Sequence, residues 1–169
     1  MDKNFLKEII EDQREEVSLL LTRDKFIKRE DSGQCEAYLK GPNILLISGL
    51  RRAGKSSFAM SLTQRNKSAL LNFDDERLIS LSTDDLNTVL QVFLELYPGF
   101  EFMIFDEIQN VKGWELFLNR MRRNKYKIIV TGSNANLLSR EMATHLTGRY
   151  NDHVLFPMSF REFLYRYFC

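Results

Sequence analysis

The hydrophobic positions of this chain alternate between two patterns. Near the N-terminus, Leu6, Ile9 and Ile10 recur at helical spacing among charged residues, which predicts a helix over residues 2–28. From Ile44 onward, short continuous apolar runs alternate with amphipathic segments of helical spacing. These patterns predict strands at 44–47, 69–73, 102–105, 128–130 and 154–156, and helices after Gly54 and at 83–97, 114–123, 135–145 and 160–168.

The alternation of strands and helices is typical of a parallel sheet with helices on both faces. Residues 29–43 contain Gly33, a Gly-Pro pair and many polar groups, so we expect a connecting loop there. The predicted organisation is an N-terminal helical segment with its loop over 1–40 and an α/β core over 41–169. A length of 169 residues suits one compact domain.

Composition narrows the functional classes. With 24 basic and 23 acidic residues the net charge is +1, so any nucleic-acid contact has to come from a local patch. Cys35 and Cys169 have no metal-ligand spacing and do not make a disulfide framework. No apolar run approaches the roughly 20 residues that span a bilayer, and the charged N-terminus does not resemble a signal peptide. We therefore expect a soluble, cytoplasmic protein without a membrane partner.

The segment GLRRAGKS at 49–56, between the first predicted strand and a helix, has the spacing G-x-x-x-x-G-K-S. In such a loop backbone N–H groups surround a phosphate chain, and Gly49 and Gly54 allow the backbone angles and close approach that this requires. Lys55 would reach the β- and γ-phosphates, and Ser56 would offer its hydroxyl to magnesium. The predicted nucleotide-binding residues are Gly49, Leu50, Arg51, Arg52, Ala53, Gly54, Lys55, Ser56 and Ser57.

Two acids follow the third predicted strand, FMIF at 102–105. The carboxyl ends of parallel strands are where ligands of open α/β sheets bind, so Asp106 and Glu107 are expected to face the phosphate loop. Asp106 would support magnesium with Ser56, and Glu107 would polarise the water that attacks the γ-phosphate. The alternative is a solvated turn before the next helix.

Small polar residues follow the fourth predicted strand, where Ser133 and Asn134 are candidates for positioning that water. The alternative for both residues is a plain turn with an N-cap. Asp74 and Asp75 follow the second strand, and for them a turn at the strand end is the favoured interpretation over a role in the site.

Four segments resemble the AAA+ ATPases, in particular a prokaryotic group of ATP-binding proteins: GLRRAGKSS at 49–57, FDEIQNVKGW at 105–114, TGSNANLLS at 131–139 and LTGRYNDHVLFPMSFREFL at 146–164. The resemblance implies a P-loop NTPase three-layer αβα sandwich whose five-stranded parallel sheet has the order 5-1-4-3-2. It makes Asp106 and Glu107 the Walker B pair and places the sensor-1 position at Asn134 or Ser133.

The resemblance also implies that Arg149 is an arginine finger acting on a neighbouring subunit, and hence a homo-oligomer. A surface or fold-stabilising arginine is the alternative. Members of the group continue into a helical lid beyond PMSFREFL, whereas this sequence stops at Cys169, so no lid and no second sensor arginine are expected.

The motifs together predict an ATPase that uses magnesium and converts ATP to ADP and phosphate. Two alternatives stay open: a nucleotide-dependent switch or binding module with little turnover, and a P-loop kinase. Glu107 directly after Asp106 favours water as the acceptor and counts against the kinase. Both a nucleic-acid and a protein client are compatible with these motifs.

Overall fold

A five-stranded parallel sheet organises the computed structural model of the chain, which describes residues 1–23, 29–63, 68–133, 144 and 146–168. The strand order is β2-β3-β4-β1-β5, which confirms the predicted class and order. The three inner strands are buried on both faces, which is why their sequences are continuous apolar runs. The strands are β1 Ile44–Gly49, β2 Ser68–Asn72, β3 Phe102–Asp106, β4 Lys127–Thr131 and β5 Tyr150–Leu155.

Helices cover both faces of this sheet. Alternate residues of β1 enter opposite apolar clusters: Ile44 and Leu46 pack in the cluster that contains α1, α4 and α5, and Leu45 and Ile47 pack in the cluster that contains α2 and α3. None of the helices in the described part of the chain is both long enough and apolar enough to cross a bilayer. The helices are α1 Lys3–Arg23, α2 Ser32–Lys40, α3 Lys55–Leu62, α4 Leu86–Leu96, α5 Trp114–Arg123 and α6 Phe160–Phe168.

The prediction of a loop over residues 29–43 was wrong, because α2 occupies most of that segment. Cys35 and Leu39 are one helical turn apart and both are buried, but the glycine and the many polar residues around them obscure this spacing in the sequence. The predicted helix at 135–145 lies outside the described residues except for Thr144. The last strand is longer than predicted, since an edge strand alternates buried and exposed positions and lacks a continuous apolar run.

Candidate functional site

Two glycines shape the loop between β1 and α3, each for a different reason. Gly49 has φ 141°, and a Cβ there would lie 2.2 Å from the carbonyl oxygen of Leu155, so glycine allows the close approach of β5. Gly54 has φ 86°, and a Cβ there would meet no atom within 4 Å, so glycine is favoured at this position only because of the left-handed backbone conformation. Arg52 also lies in the left-handed region, at φ 65°. The loop therefore turns tightly and delivers the chain to the first residue of α3.

Lys55, which begins α3, is buried to 7% exposure and folds back over the loop. Its Nζ donates to the carbonyl oxygens of Gly49 at 3.2 Å and Leu50 at 3.0 Å. The ammonium group therefore lies beside the N-terminus of α3, where unpaired N–H groups already favour an anion. A cation and a helix N-terminus at one place make a strong phosphate site.

Asp106 ends β3 with only 9% of its surface exposed. One carboxylate oxygen accepts a 2.5 Å hydrogen bond from Ser56 Oγ, and the other accepts from Thr131 Oγ1. Burial raises the pKa of Asp106 above its ordinary value, although the two hydroxyl donors act in the opposite direction. No ion pair to Asp106 is present within the described residues.

Glu107 adopts a left-handed backbone conformation with φ 54°, which is strained for a residue with a side chain. Its N–H donates to the carbonyl oxygen of Thr131 at 2.8 Å. Its Oε2 accepts from Gln109 Nε2 at 2.5 Å and from both the N–H and the Oγ of Ser133 at 3.2 Å. Strain of this kind persists where neighbours fix it, and here those neighbours aim the carboxylate at the same end of the sheet as Asp106.

These groups surround one cavity of about 200 Å³. That volume is below the ~300–1,000 Å³ of pockets that enclose a whole drug-sized ligand, so it suits the phosphate end of a nucleotide. Positive and negative side chains share the wall, as a site for a phosphate chain with a cation requires. The lining residues are Arg51, Arg52, Gly54, Lys55, Ser56, Ser57, Asn72, Asp74, Asp106 and Glu107.

The structure brings most of the sequence-predicted site residues together and leaves others apart. Leu50 is two-thirds exposed and Ala53 is buried, and neither lines the cavity. Ser133 lies against Glu107, whereas Asn134 lies outside the described residues.

Arg149 is exposed at the opposite end of the sheet, where its carbonyl oxygen accepts from the N–H of Ile44 at 3.0 Å. The strand that starts at Ile44 reaches the loop only at Gly49, about 17 Å further along at ~3.3 Å per residue. The backbone of Arg149 is therefore remote from the cavity of its own chain.

Sequence reasoning missed Thr131 and underrated Asp74. Thr131 is opposite Asp106 in the β3–β4 register. Because β4 lies between β3 and β1 in the sheet, the strand order places Thr131 between Asp106 and the phosphate loop. Asp74 lies in the turn after β2, as the favoured interpretation expects, and it also lines the cavity, while Asp75 caps the short helix at Glu76–Leu78. Asn72, the last residue of β2, also lines the cavity. Each of these residues ends or closely follows a strand, so the strand order is the signal that points to it.

Comparison with known proteins agrees with this geometry. A family described as an AAA domain matches residues 41–164. The uncharacterized protein MJ1544 of Methanocaldococcus jannaschii is 35% identical over 97% of this chain and 36% of its own length. An uncharacterized protein of Haemophilus influenzae is 38% identical over 72% of this chain and 33% of its own length. The chain thus spans about a third of the length of these curated relatives.

Solved structures share the fold at lower identity. The Walker-type ATPase PABY2304 of Pyrococcus abyssi aligns with TM-score 0.55 and 21% identity, over 82% of this chain and 56% of its own. PCH-2 of C. elegans aligns with TM-score 0.54 and 20% identity, over 80% of this chain and 43% of its own. With the sheet order, the phosphate loop and the family match in agreement, the chain belongs to the AAA domain family and has the fold of an AAA+-like P-loop ATPase domain.

Proposed function

We propose that this domain binds ATP with magnesium and hydrolyses it to ADP and phosphate. The observation that carries the proposal is a single cavity that combines the phosphate loop, the contact between Ser56 and Asp106, and a second carboxylate on Glu107. A binding site alone needs only the loop and its lysine. A carboxylate fixed in a strained conformation beside the proposed cation site is well suited to act on a water molecule.

The residues present fit a magnesium ion. Mg²⁺ prefers hard oxygen ligands and is bound in such sites through one or two protein groups together with phosphate oxygens and water. Ser56 Oγ and an Asp106 carboxylate oxygen are in contact, and Asp106 lacks an ion-pair partner in the described part of the chain. When bound there with ATP, the ion would offset the negative charge of the β- and γ-phosphates.

Phosphate binding and the activation of water would be carried out by the chain's own side chains and backbone. Lys55 would exchange the loop carbonyl oxygens for phosphate oxygens, and the loop N–H groups would hold the phosphate chain. Glu107 would orient a water so that its oxygen forms a bond to the γ-phosphorus while the bond to the β-phosphate oxygen breaks. ADP leaves, and the proton of the water passes through Glu107 to solvent. Ser133 would keep the Glu107 carboxylate in place.

A steady-state assay separates the three functional classes. Phosphate release from ATP that depends on magnesium and needs no acceptor supports hydrolysis. Tight nucleotide binding without phosphate release would replace hydrolysis with a switch or binding module. Transfer of the γ-phosphate to an added acceptor, with no release to water, would replace it with a kinase.

We propose further that Arg149 acts on the nucleotide of a neighbouring copy of the chain. Its exposure and its distance from the cavity of its own chain support a role across an interface. An inserted arginine contributes about 10³–10⁵-fold to turnover in related phosphoryl transfers. Arg149→Ala and Lys55→Ala proteins should each be inactive, and mixing them should restore part of the activity because each supplies what the other lacks. Absence of recovery, with hydrolysis independent of protein concentration, would contradict this role.

A further inference from the structure

A buried arginine outside the cavity touches the back of the phosphate loop. Arg29, just before α2, is 9% exposed and donates from all three of its guanidinium nitrogens. Nη1 donates to the carbonyl oxygen of Ala53 at 3.2 Å, Nη2 to that of Phe156 at 2.6 Å, and Nε to Glu162 Oε1 at 2.9 Å. The side chain therefore joins the phosphate loop, the segment after β5 and helix α6.

Glu162 is the ion-pair partner that holds the guanidinium of Arg29 in place. It is 5% exposed and accepts from the backbone N–H groups of Glu30 at 2.9 Å and Ser159 at 2.8 Å, and its own N–H donates to Ser159 Oγ at 3.2 Å. Burial alone would raise the pKa of Glu162, but the N–H groups of Glu30 and Ser159 and the charge of Arg29 outweigh burial and lower it. The carboxylate is thus ionised at neutral pH and can pair with the guanidinium.

The contact at Ala53 has a consequence for the loop because peptide units are planar and trans. When the carbonyl oxygen of Ala53 points to Arg29, the N–H of Gly54 in the same peptide unit points the opposite way. Gly54 lines the cavity, and it takes a left-handed conformation that a flexible glycine reaches at no steric cost but also leaves easily. Arg29, by donating to the carbonyl oxygen of Ala53 on the outside of the loop, would therefore orient the N–H of Gly54 toward a phosphate on the inside.

We propose that Arg29, held by Glu162, is a positioning residue for the phosphate loop, and that nucleotide binding is coupled through it to helix α6. This inference rests on the proposed function, since the orientation of the loop matters only if the loop binds phosphate. Arg29 and Glu162 are 133 residues apart in sequence, and only the folded chain reveals the pair.

A matched pair of variants tests the coupling. Arg29→Lys keeps a charge for Glu162 but lacks the planar fork that reaches three acceptors. Arg161→Lys makes the same change in a neighbouring ion pair, since Arg161 Nη1 lies 3.7 Å from Glu30 Oε1 with both side chains exposed. Among the described residues, Arg161 makes no hydrogen bond or ion pair to the loop. We expect Arg29→Lys to weaken ATP binding about tenfold and raise KM accordingly with kcat nearly unchanged, and Arg161→Lys to leave both at wild-type values.

Wild-type affinity in Arg29→Lys would overturn the inference, and so would an equal loss in both variants. Hydrogen exchange of the wild-type chain gives a second readout that needs no variant. Saturating magnesium and ATP should slow exchange of the N–H groups of Glu30 and Ser159, which donate to Glu162, and unchanged exchange there would overturn the coupling. If the wild-type chain binds no nucleotide, the proposed function itself fails. If it binds nucleotide but the ATP affinity of Arg29→Lys and the hydrogen exchange at Glu30 and Ser159 are unchanged, only the role of Arg29 fails.

Discussion

Two carboxylates at the ends of neighbouring strands have opposite surroundings. Asp106 ends β3, and Asp75 follows the end of its partner strand β2. Asp75 accepts from Arg77 Nε at 3.0 Å, from Arg77 Nη2 at 2.9 Å and from Gln13 Nε2 at 3.0 Å. The hydrogen bonds from Arg77 lower the pKa of Asp75 to about 2, although partial burial opposes them. Within the described residues, the carboxylate of Asp106 accepts only from hydroxyl groups, and burial raises its pKa.

Under the proposed function, this difference separates a structural carboxylate from one that serves the site. The charge of Asp75 is balanced within the chain by Arg77, and its contact to Gln13 ties the turn after β2 to α1. The charge of Asp106 has the hydroxyl groups of Ser56 and Thr131 and the nearby charge of Lys55 around it but no ion-pair partner among the described residues, so under the proposed function a magnesium ion would complete its surroundings. A group kept in this way would lower the stability of the free protein and serve the proposed nucleotide-bound state.

The largest expected contrast is in activity. Asp106→Asn keeps the shape of the side chain but removes the charge that would hold magnesium, so phosphate release should fall about 100-fold or more. Asp75→Asn makes the same chemical change outside the cavity lining and should stay within about twofold of wild type. Phosphate release measured at saturating magnesium compares the two, and equal losses would remove the distinction.

Stability should change in opposite directions for the same two variants. Without nucleotide, Asp106→Asn relieves a buried charge and should raise the free energy of unfolding by about 1 kcal/mol. Asp75→Asn weakens charge-assisted hydrogen bonds in a partly exposed network and should lower it by about 1–2 kcal/mol. Urea unfolding at pH 7 measures both, and destabilisation by Asp106→Asn would show that its hydrogen bonds outweigh its desolvation.

The smallest expected effect is the loss of the stability contribution of Asp75 at low pH. The folded-state pKa of Asp75, about 2, lies below the ordinary value of 3.8, so its contribution to stability is present above about pH 4 and is lost as pH falls toward 2. The stability gap between wild type and Asp75→Asn should therefore be full at pH 5 and shrink steadily toward pH 2. Urea unfolding at pH 5, 4 and 3 measures the gap, and a constant gap would mean that Asp75 acts through its shape.

The sequence predicted the parts of this molecule that follow from local pattern. Apolar runs of buried strands, the spacing of the loop at 49–56 and the two acids after the apolar run at 102–105 can be recognised without knowledge of the tertiary fold. The resemblance supplied the strand order, which then implies the place of Thr131. The contacts of Arg29 could not be predicted, because their partners are brought together only by the tertiary fold. Helix α2 was missed because its few buried positions in nine residues give too weak a periodicity.

Glu107→Gln separates hydrolysis from nucleotide binding, because the amide keeps the shape of Glu107 and removes the charge that would polarise water. We expect ATP affinity within about twofold of wild type and phosphate release lower by about 10²–10⁴-fold, both measured on the same preparation with magnesium present. Phosphate release at the wild-type rate by Glu107→Gln would contradict this expectation, since the strained carboxylate beside Asp106 would then have no part in the chemistry.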